Sequence, residues 1–529
     1  MTPEVPRLVH GPGGPFPVFR GKNLYHPDRA RERAETLARE FSPPEKCLVI
    51  APSPLLGYGL DVLLRKLPES SRILCVEKEQ SLMRLSLENV PPALLGDRRI
   101  LVVRSDRPEA AVEESFRTFG IGGFRRVASV ALNRGAALHS SFYRQVEAEA
   151  LRRVRTHWRN RMTAAHLARL WVGNLLTNIT LLPDCLPIHR LSFEKPVVIA
   201  GAGESLETHV PFLRDMRDSI SIVAVDTALA VLLGFGLRPD LIVAAEAQFA
   251  NLGAFSGLRD WSLPVAADLL SYPPILRRFT GERFVFISRF ADLAWFRRPG
   301  VRGFLPTFLP PLGSVGVMAL QLAAELSPPG LPLILAGLDL HYLPGKPHAR
   351  GSSSHSRFLR ESGRLSHPRQ YAAWCDRPKT TCLFKGGGSG PVDAVLASYR
   401  EGLSAIASRR GGVYDLPGPG LDLGIPVLSH GEASGVIGAY SPPAQASPPP
   451  SGGRRGWGRD ETRSFVLGLL AEMEAAAAAS PDEGAELLEA LDILTADLPV
   501  PPGPENFRPL FLPRLGLQIR KLRRAATRV

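Results

Sequence analysis

Twice along this chain, short apolar runs alternate with stretches of helical period, and in each series the first run opens into glycines. The first series reads Cys47 to Ala51, Ile73 to Val76, Ile100 to Val103 and Arg126 to Leu132. The second reads Pro196 to Ala200, Ile220 to Val225, Leu241 to Ala245, Phe284 to Ile287 and Leu331 to Ala336, with a last run near Gly412 to Asp415. This is βαβ rhythm, which builds a parallel sheet with helices on its faces. Helices fit at Ser205 to Asp215, Thr227 to Leu233, Val315 to Leu326 and Pro391 to Ser408. From Phe142 to Thr180 the pattern is helical throughout, with Trp158, Leu167, Leu170 and Trp171 apolar and arginines opposite. The expected fold is α/β, with two Rossmann-like parallel-sheet domains joined by a helical connection and followed by a helical C-terminal tail.

At 529 residues the chain exceeds one hydrophobic core. The expected division is a Rossmann-like domain over 1–140, the helical connection over 141–190 and a central Rossmann-like domain over 191–440. A Pro/Ser/Gly-rich linker over 441–458 and a basic helical tail over 459–529 follow. In the tail, Ser480-Pro481-Asp482-Glu483 sets a cap, an N1 proline and two acids at a helix start.

No stretch reaches the 18 to 20 apolar residues of a membrane span; Ala224 to Leu237 is interrupted by Asp226, Thr227 and Gly234. Met1 to Pro17 carries Pro and Gly where a signal peptide needs an apolar core, so a cytoplasmic location is expected. Five scattered cysteines without a Cys-x-x-Cys pair argue against a disulfide framework or a zinc ribbon. The net charge of +13 is densest at Arg152 to Arg161 and Arg514 to Arg528. It suits nucleic acid, an acidic membrane surface or a phosphate-bearing donor, or is a solvated surface; nucleic acid is the partner least expected.

The first glycine turn, Ala51-Pro52-Ser53-Pro54-Leu55-Leu56-Gly57-Tyr58-Gly59, has Glu77 about twenty residues beyond Gly57. That is the layout of a nucleotide-binding half-domain, in which the acid holds a ribose. The third glycine is missing and two prolines crowd the loop, so a scaffold and a cofactor site both remain open. Asn174 and Asn178 share one helical face, as a cap, a bridge to the next domain or a surface pair.

In the second series, Val197-Val198-Ile199-Ala200 runs into Gly201-Ala202-Gly203-Glu204-Ser205-Leu206 and then a helix. Glycines there let backbone amides and the helix's positive end approach a phosphate. Asp226 and Thr227 end the next run where a base or ribose would lie; Thr227 is otherwise the N-cap of the following helix. Gly313, Ser314 and Gly316 open another helix and offer a second nest of amides. Leu333 to Ala336 leads into Gly337-Leu338-Asp339-Leu340-His341-Tyr342, an apolar strand with a polar end.

The order Gly-Ala-Gly-Glu-Ser-Leu, Ala-Val-Asp-Thr-Ala-Leu, Gly-Leu-Arg-Pro-Asp-Leu, Gly-Ser-Val-Gly and Ala-Gly-Leu-Asp-Leu, then Gly345-Lys346-Pro347-His348-Ala349, resembles the motility-associated factor family. The resemblance covers roughly Phe41 to Gly438. It implies transfer of a nonulosonic, sialic-acid-like sugar from a CMP donor to flagellin serines and threonines. The second series is also similar to bacterial CMP-donor sialyltransferases, whose Gly-Asn-Gly-Pro-Ser-Leu, Thr-Ser-Gly and Gly-Ile-Asp motifs match 201–206, 313–316 and 337–339. Ala202 stands in place of the motif's asparagine, and Glu204, in place of its proline, sets a carboxylate beside the expected phosphate.

These resemblances make Gly201, Gly203, Ser205, Asp226, Thr227, Gly313, Ser314, Gly316 and Lys346 the expected donor-binding residues, and Asp339 part of the catalytic group. Glycosyl transfer to a hydroxyl needs a base, and four of the twelve histidines fall between His341 and His367. His348 is the first choice and His367 the second. Lys346, Arg350 and Arg357 suit a leaving CMP or the sugar carboxylate.

No cofactor beyond the CMP-sugar is required and no metal is assigned, although His348, His355, Cys375 and Cys382 are a conceivable zinc set. The related archaeal pterin pyrophosphokinases share the strand-glycine layout but want clustered aspartates for magnesium. Here Ala245-Glu246-Ala247-Gln248 supplies one acid, which makes an ATP-dependent diphosphokinase the alternative; a non-catalytic nucleotide-dependent assembly factor for flagellin is another.

Overall fold

The computed structural model describes residues 5–289, 293–342, 346–365, 376–441, 456–480, 491–495, 497 and 512–527. It divides into two compact units, Met1–Thr163 and Ala164–Val529, with the boundary inside the helix Ser140–Asn178.

In the first unit four parallel strands run in the order Ile100–Arg104, Arg72–Glu77, Cys47–Pro52, Arg126–Ser129. Cys47–Pro52 is buried along its whole length because it lies inside the sheet with side chains packed on both faces. A three-stranded antiparallel meander, Arg7–Gly11, Gly14–Phe19 and Lys22–Asn23, was not foreseen from the sequence. The pattern of four apolar runs is otherwise reproduced, although the last strand stops at Ser129 rather than Leu132.

The second unit is built on a nine-stranded sheet. Its main path runs Phe308–Leu309, Arg283–Ser288, Val265–Asp268, Leu241–Ala244, Ser221–Val225, Val197–Ala200, Leu333–Ala336, Val413–Asp415, all parallel. A short strand, Leu186–Pro187, adds to Arg283–Ser288 off this path. The chain enters at Val197–Ala200, winds outward to Phe308–Leu309, and returns on the other side of its starting strand at Leu333–Ala336. The order of strands therefore reverses between Val197–Ala200 and Leu333–Ala336, and ligands of open parallel sheets bind outside the carboxyl ends at such a point.

One face of this sheet packs against the helices Leu206–Asp215, Val315–Leu326, Ala394–Arg410 and His430–Ala439. The other face is covered by the end of Ser140–Asn178 and by Arg459–Ala478 and Leu512–Ala526. The described helices of the C-terminal tail thus belong to the second unit's core. Val466, Met473, Leu515, Ile519 and Leu522 are buried in it, Phe304 stacks on Phe465 at 3.9 Å, and Arg298 holds Glu472 through two bonds of 2.7 Å. Trp457, placed in the linker by composition, is buried with Nε1 donating to Phe304 O at 2.7 Å. The proposed helix start at Ser480-Pro481 lies at the edge of the described residues, with 481–490 outside them.

Candidate active site

The glycine turn that follows Val197–Ala200 lies against the turn that follows Leu333–Ala336. Gly201 N donates to Ala336 O at 2.8 Å and Gly203 N to Gly337 O at 2.7 Å. A Cβ on Gly201 would meet Gly337 O at 2.5 Å and Leu338 Cδ2 at 2.5 Å, and one on Gly203 would collide with the Asp339 carboxylate. Leu338 also occupies the space that a side chain on Gly316 would need. The glycines at 201, 203 and 316 are required for the two turns and the helix start of Val315–Leu326 to close on 337–339.

Asp339 fixes this junction. It is 1% exposed, and its two oxygens accept from Ser205 N at 2.9 Å and Ser205 Oγ at 2.7 Å. Its carbonyl accepts from Leu421 N at 2.8 Å, and the next residue, Leu340, takes φ +52°, a strained value for a branched side chain. Lys385, its side chain 2% exposed, lies 2.8 Å from Asp415 and 3.9 Å from Asp339. Burial pushes the Asp415 carboxyl up to about 6, with Lys385 opposing and Asp339 adding to the rise. In this arrangement Asp339 caps the turn rather than facing solvent, and the amide and hydroxyl of Ser205 are engaged by it.

The second amide nest is more open. Gly313 takes φ +72° and is exposed, and Ser314 caps Val315–Leu326 by accepting from Gly316 N at 3.2 Å. This helix start stands beside Leu338 at the carboxyl edge of the sheet.

The segment 346–350 crosses the first glycine turn. Ala349 N donates to Ala202 O at 2.9 Å; Lys346 Nζ lies 2.8 Å from Glu207 and 3.5 Å from Glu204, and Arg350 Nε donates to Glu207 at 2.8 Å. Although burial pushes Glu207 up, its hydrogen bonds from Lys346 and Arg350 hold it below the usual carboxylate range. The unusual Glu204 is thus compensated by Lys346, and Lys346 is shared between two carboxylates. His348, on this segment, is half-buried; burial, reinforced by His355, brings its pKa down to about 4, so the ring is neutral near pH 7. His367 and Cys375 lie outside the described residues. Among the described residues no three of His, Cys, Asp and Glu gather as a metal site.

Asp226 opens the helix Asp226–Gly234 and is 2% exposed. Its Oδ1 accepts from Thr227 N at 2.7 Å and Thr227 Oγ1 at 3.0 Å, so Asp226 restrains Thr227 and the helix start. Burial raises its pKa to about 6, Thr227 and Asn251 oppose this, and Glu246 adds to it. Asn251 is close enough to favour the ionised carboxylate, yet Oδ2 has no well-aligned hydrogen-bond partner among the described residues.

Asp268, which the sequence did not single out, closes the carboxyl end of Val265–Asp268. Its Oδ1 accepts from Leu270 N at 3.0 Å and Ser288 N at 3.2 Å, and burial raises it to about 6. Asp226, Glu246 and Asp268 therefore follow the ends of three neighbouring strands. Asn174 and Asn178 pin the loops between them: Asn174 Nδ2 donates to Ala247 O and Leu270 O, and Asn178 Nδ2 to Leu269 O and Ser271 O, all at 2.9–3.0 Å. Their spacing on one helical face was the visible signal. Lys385 gave none, because its partners are 30 and 46 residues away.

A protein-family model described as 6-hydroxymethylpterin diphosphokinase MptE-like matches residues 171–345. An uncharacterized protein of Treponema pallidum (strain Nichols) is 30% identical over 439 residues, which is 82% of this chain and 76% of that protein. A second uncharacterized protein of the same organism is 32% identical over 87 residues, 16% of this chain and 41% of that protein. Among solved structures, a Maf glycosyltransferase from Magnetospirillum magneticum AMB-1 shares the fold with TM-score 0.54 and 15% identity, covering 100% of this chain and 87% of that one.

Proposed function

The chain belongs to one family with the Treponema pallidum protein, with an MptE-like domain at its centre and the fold of a Maf glycosyltransferase, and on that premise we propose that it is a glycosyltransferase moving a nonulosonic sugar from a CMP donor to serine or threonine of flagellin. The observation that carries this reading is the meeting of the 201–206 turn, the Ser314 helix start and Leu338 where the strand order reverses. With Gly201 N, Gly203 N and Ser205 N bonded within the junction, it is the positive start of Val315–Leu326 at the sheet's carboxyl edge that suits the single phosphate of a CMP leaving group. Thr227, set one strand away and restrained by the buried Asp226, suits the ribose.

In this reaction the acceptor oxygen bonds to the anomeric carbon as the bond from that carbon to the CMP phosphate oxygen breaks. CMP leaves with the bonding electron pair, and the acceptor proton passes to neutral His348. Lys346 and Arg350 offset Glu204 and Glu207, so the first glycine turn adds no net negative charge beside the departing phosphate. The donor is the only small molecule this chemistry requires.

Titration calorimetry with CMP, CDP, ATP, GTP and UDP tests the donor class, and CMP binding is expected. Intact-mass measurement of flagellin from cells lacking the protein tests the transfer, and loss of a sugar-sized mass is expected. Unchanged mass with altered filament assembly supports a non-catalytic assembly factor instead. A second reading, an ATP-dependent pterin diphosphokinase, is favoured by the family-model match over 171–345. Preference for ATP together with a pterin would select it.

A further inference from the structure

Phe249 is a large aromatic side chain with 68% of its surface exposed, and the turn that leads into it, Glu246 to Gln248, is held by hydrogen bonds. Asn174 Nδ2 donates to Ala247 O at 3.0 Å, Tyr272 N to Glu246 O at 3.0 Å, and Gln248 N to Glu246 Oε1 at 3.0 Å. The Tyr272 ring meets that of Phe249 edge-on at 5.8 Å and 87°. Single exposed apolar residues are common on protein surfaces and need no explanation by themselves. Phe249 differs in lying on a pinned turn after Leu241–Ala244, at the carboxyl edge of the sheet, where it borders an open hollow with Leu252, Leu258, Trp261 and Arg278.

Three features follow one another on adjacent strands. The glycine turn ends Val197–Ala200, Asp226 ends Ser221–Val225, and Glu246 to Phe249 follow Leu241–Ala244. Neighbouring strands lie about 4.8 Å apart, which puts the ends of the first and third of these strands about 10 Å apart across the edge. A nucleoside monophosphate has its phosphate, ribose and base in this order and over about this reach. Asn251, from the same turn as Phe249, approaches Asp226 and so ties the second feature to the third.

We propose that Phe249 is the stacking platform for the donor's nucleobase, and that the exposed Glu246 and Gln248 beside it meet the base edge. This rests on the CMP-donor reading and adds the residue that holds the base. Aromatic side chains stack on any base, so the ring supplies affinity, while the flanking polar groups supply discrimination.

The test is calorimetry on the full chain, as wild type, Phe249→Ala and Phe249→Trp, with CMP and with ribose 5-phosphate. Phe249→Ala is expected to weaken CMP about 10- to 100-fold and leave ribose 5-phosphate unchanged, as expected for removal of one base-stacking contact. Phe249→Trp should bind CMP at least as well as wild type, with its indole fluorescence quenched on binding. Wild-type affinity for CMP in Phe249→Ala overturns the inference and leaves the donor reading standing. Equal weakening of CMP and ribose 5-phosphate also overturns it, because the ring would then only support the turn. Intact CMP binding with lost binding of unmodified flagellin would assign the hollow to an acceptor side chain instead. If the wild type binds no nucleotide, the donor reading and this inference fall together.

Discussion

Both units place a glycine-bearing turn after the first strand of a parallel sheet, and they use the carboxyl edge in opposite ways. In the first unit the edge is filled from within. Glu77 is 0% exposed and accepts from Ser53 Oγ at 2.5 Å, Glu79 N at 2.9 Å and Tyr143 Oη at 3.4 Å. A side chain on Gly59 would meet Ala34 O at 2.7 Å, so this glycine admits a neighbouring helix. In the second unit Asp339 closes the first turn, but Gly313, Glu246, Gln248 and Phe249 remain exposed along the same edge. The difference teaches that a glycine after a strand licenses a close approach without saying what approaches. The surrounding chain decides whether that is a ligand or the protein itself.

The largest effect should come from the base. His348→Ala is expected to lower transfer about 100- to 10,000-fold while leaving CMP affinity intact, measured by single-turnover kinetics beside calorimetry. With a pKa of about 4 the imidazole is the proton-accepting form above that pH, so its contribution to rate is steady near neutrality and falls as pH drops toward 4. A variant that turns over normally would move the base to another residue, with His367→Ala next to be tried.

Lys385→Met tests how the open edge is held. It leaves Asp339 and Asp415 buried without their cation, and should destabilise the chain by about 3–5 kcal/mol in urea unfolding. A variant as stable as wild type would show that the junction is held by the glycine packing alone.

Asp268→Asn should act oppositely, and with pH. A buried acid whose folded pKa is raised binds its proton more tightly when folded, so wild-type stability is lost as pH rises from about 4 to 6. The asparagine keeps an oxygen for the amides of Leu270 and Ser288 and cannot ionise. Its advantage should be absent below pH 4 and grow to at most about 3 kcal/mol near neutrality, read as a pH series of melting curves. A constant offset across that range would refute the titration.

The smallest effect belongs to the filled edge. Burial raises the Glu77 carboxyl, and Glu77→Gln preserves an acceptor, so stability should change by about 1 kcal/mol or less and CMP affinity should stay the same. A marked loss of CMP binding would reverse the contrast between the units.

The clearest local chemistry was legible. Val315–Leu326 was read with its observed limits, because Gly313 and the Ser314 cap mark its start. Runs of branched residues gave the strands around it. Val265–Asp268 was missed because Val-Ala-Ala-Asp between Pro264 and Leu269 is short and has a single branched residue, Val265, and no aromatic one to mark a strand. Pro391 to Ser408 was read as one helix, whereas Ser389–Asp393 is a strand and Asp393 caps the helix that begins at Ala394. At the site, the glycines and Asp226 were visible as types at strand ends. The buried junction of Asp339, Lys385 and Asp415 was not, since it is assembled from three distant segments whose charges carry no local period.

Hydrogen exchange measured by mass spectrometry on the full chain, with and without saturating CMP, tests the central claim most directly. The account predicts slowed exchange at 201–206, 226–227, 313–316 and 246–249, with none at 53–59. Slowed exchange at 53–59 instead, or protection of the central segments by ATP with a pterin but not by CMP, would contradict it.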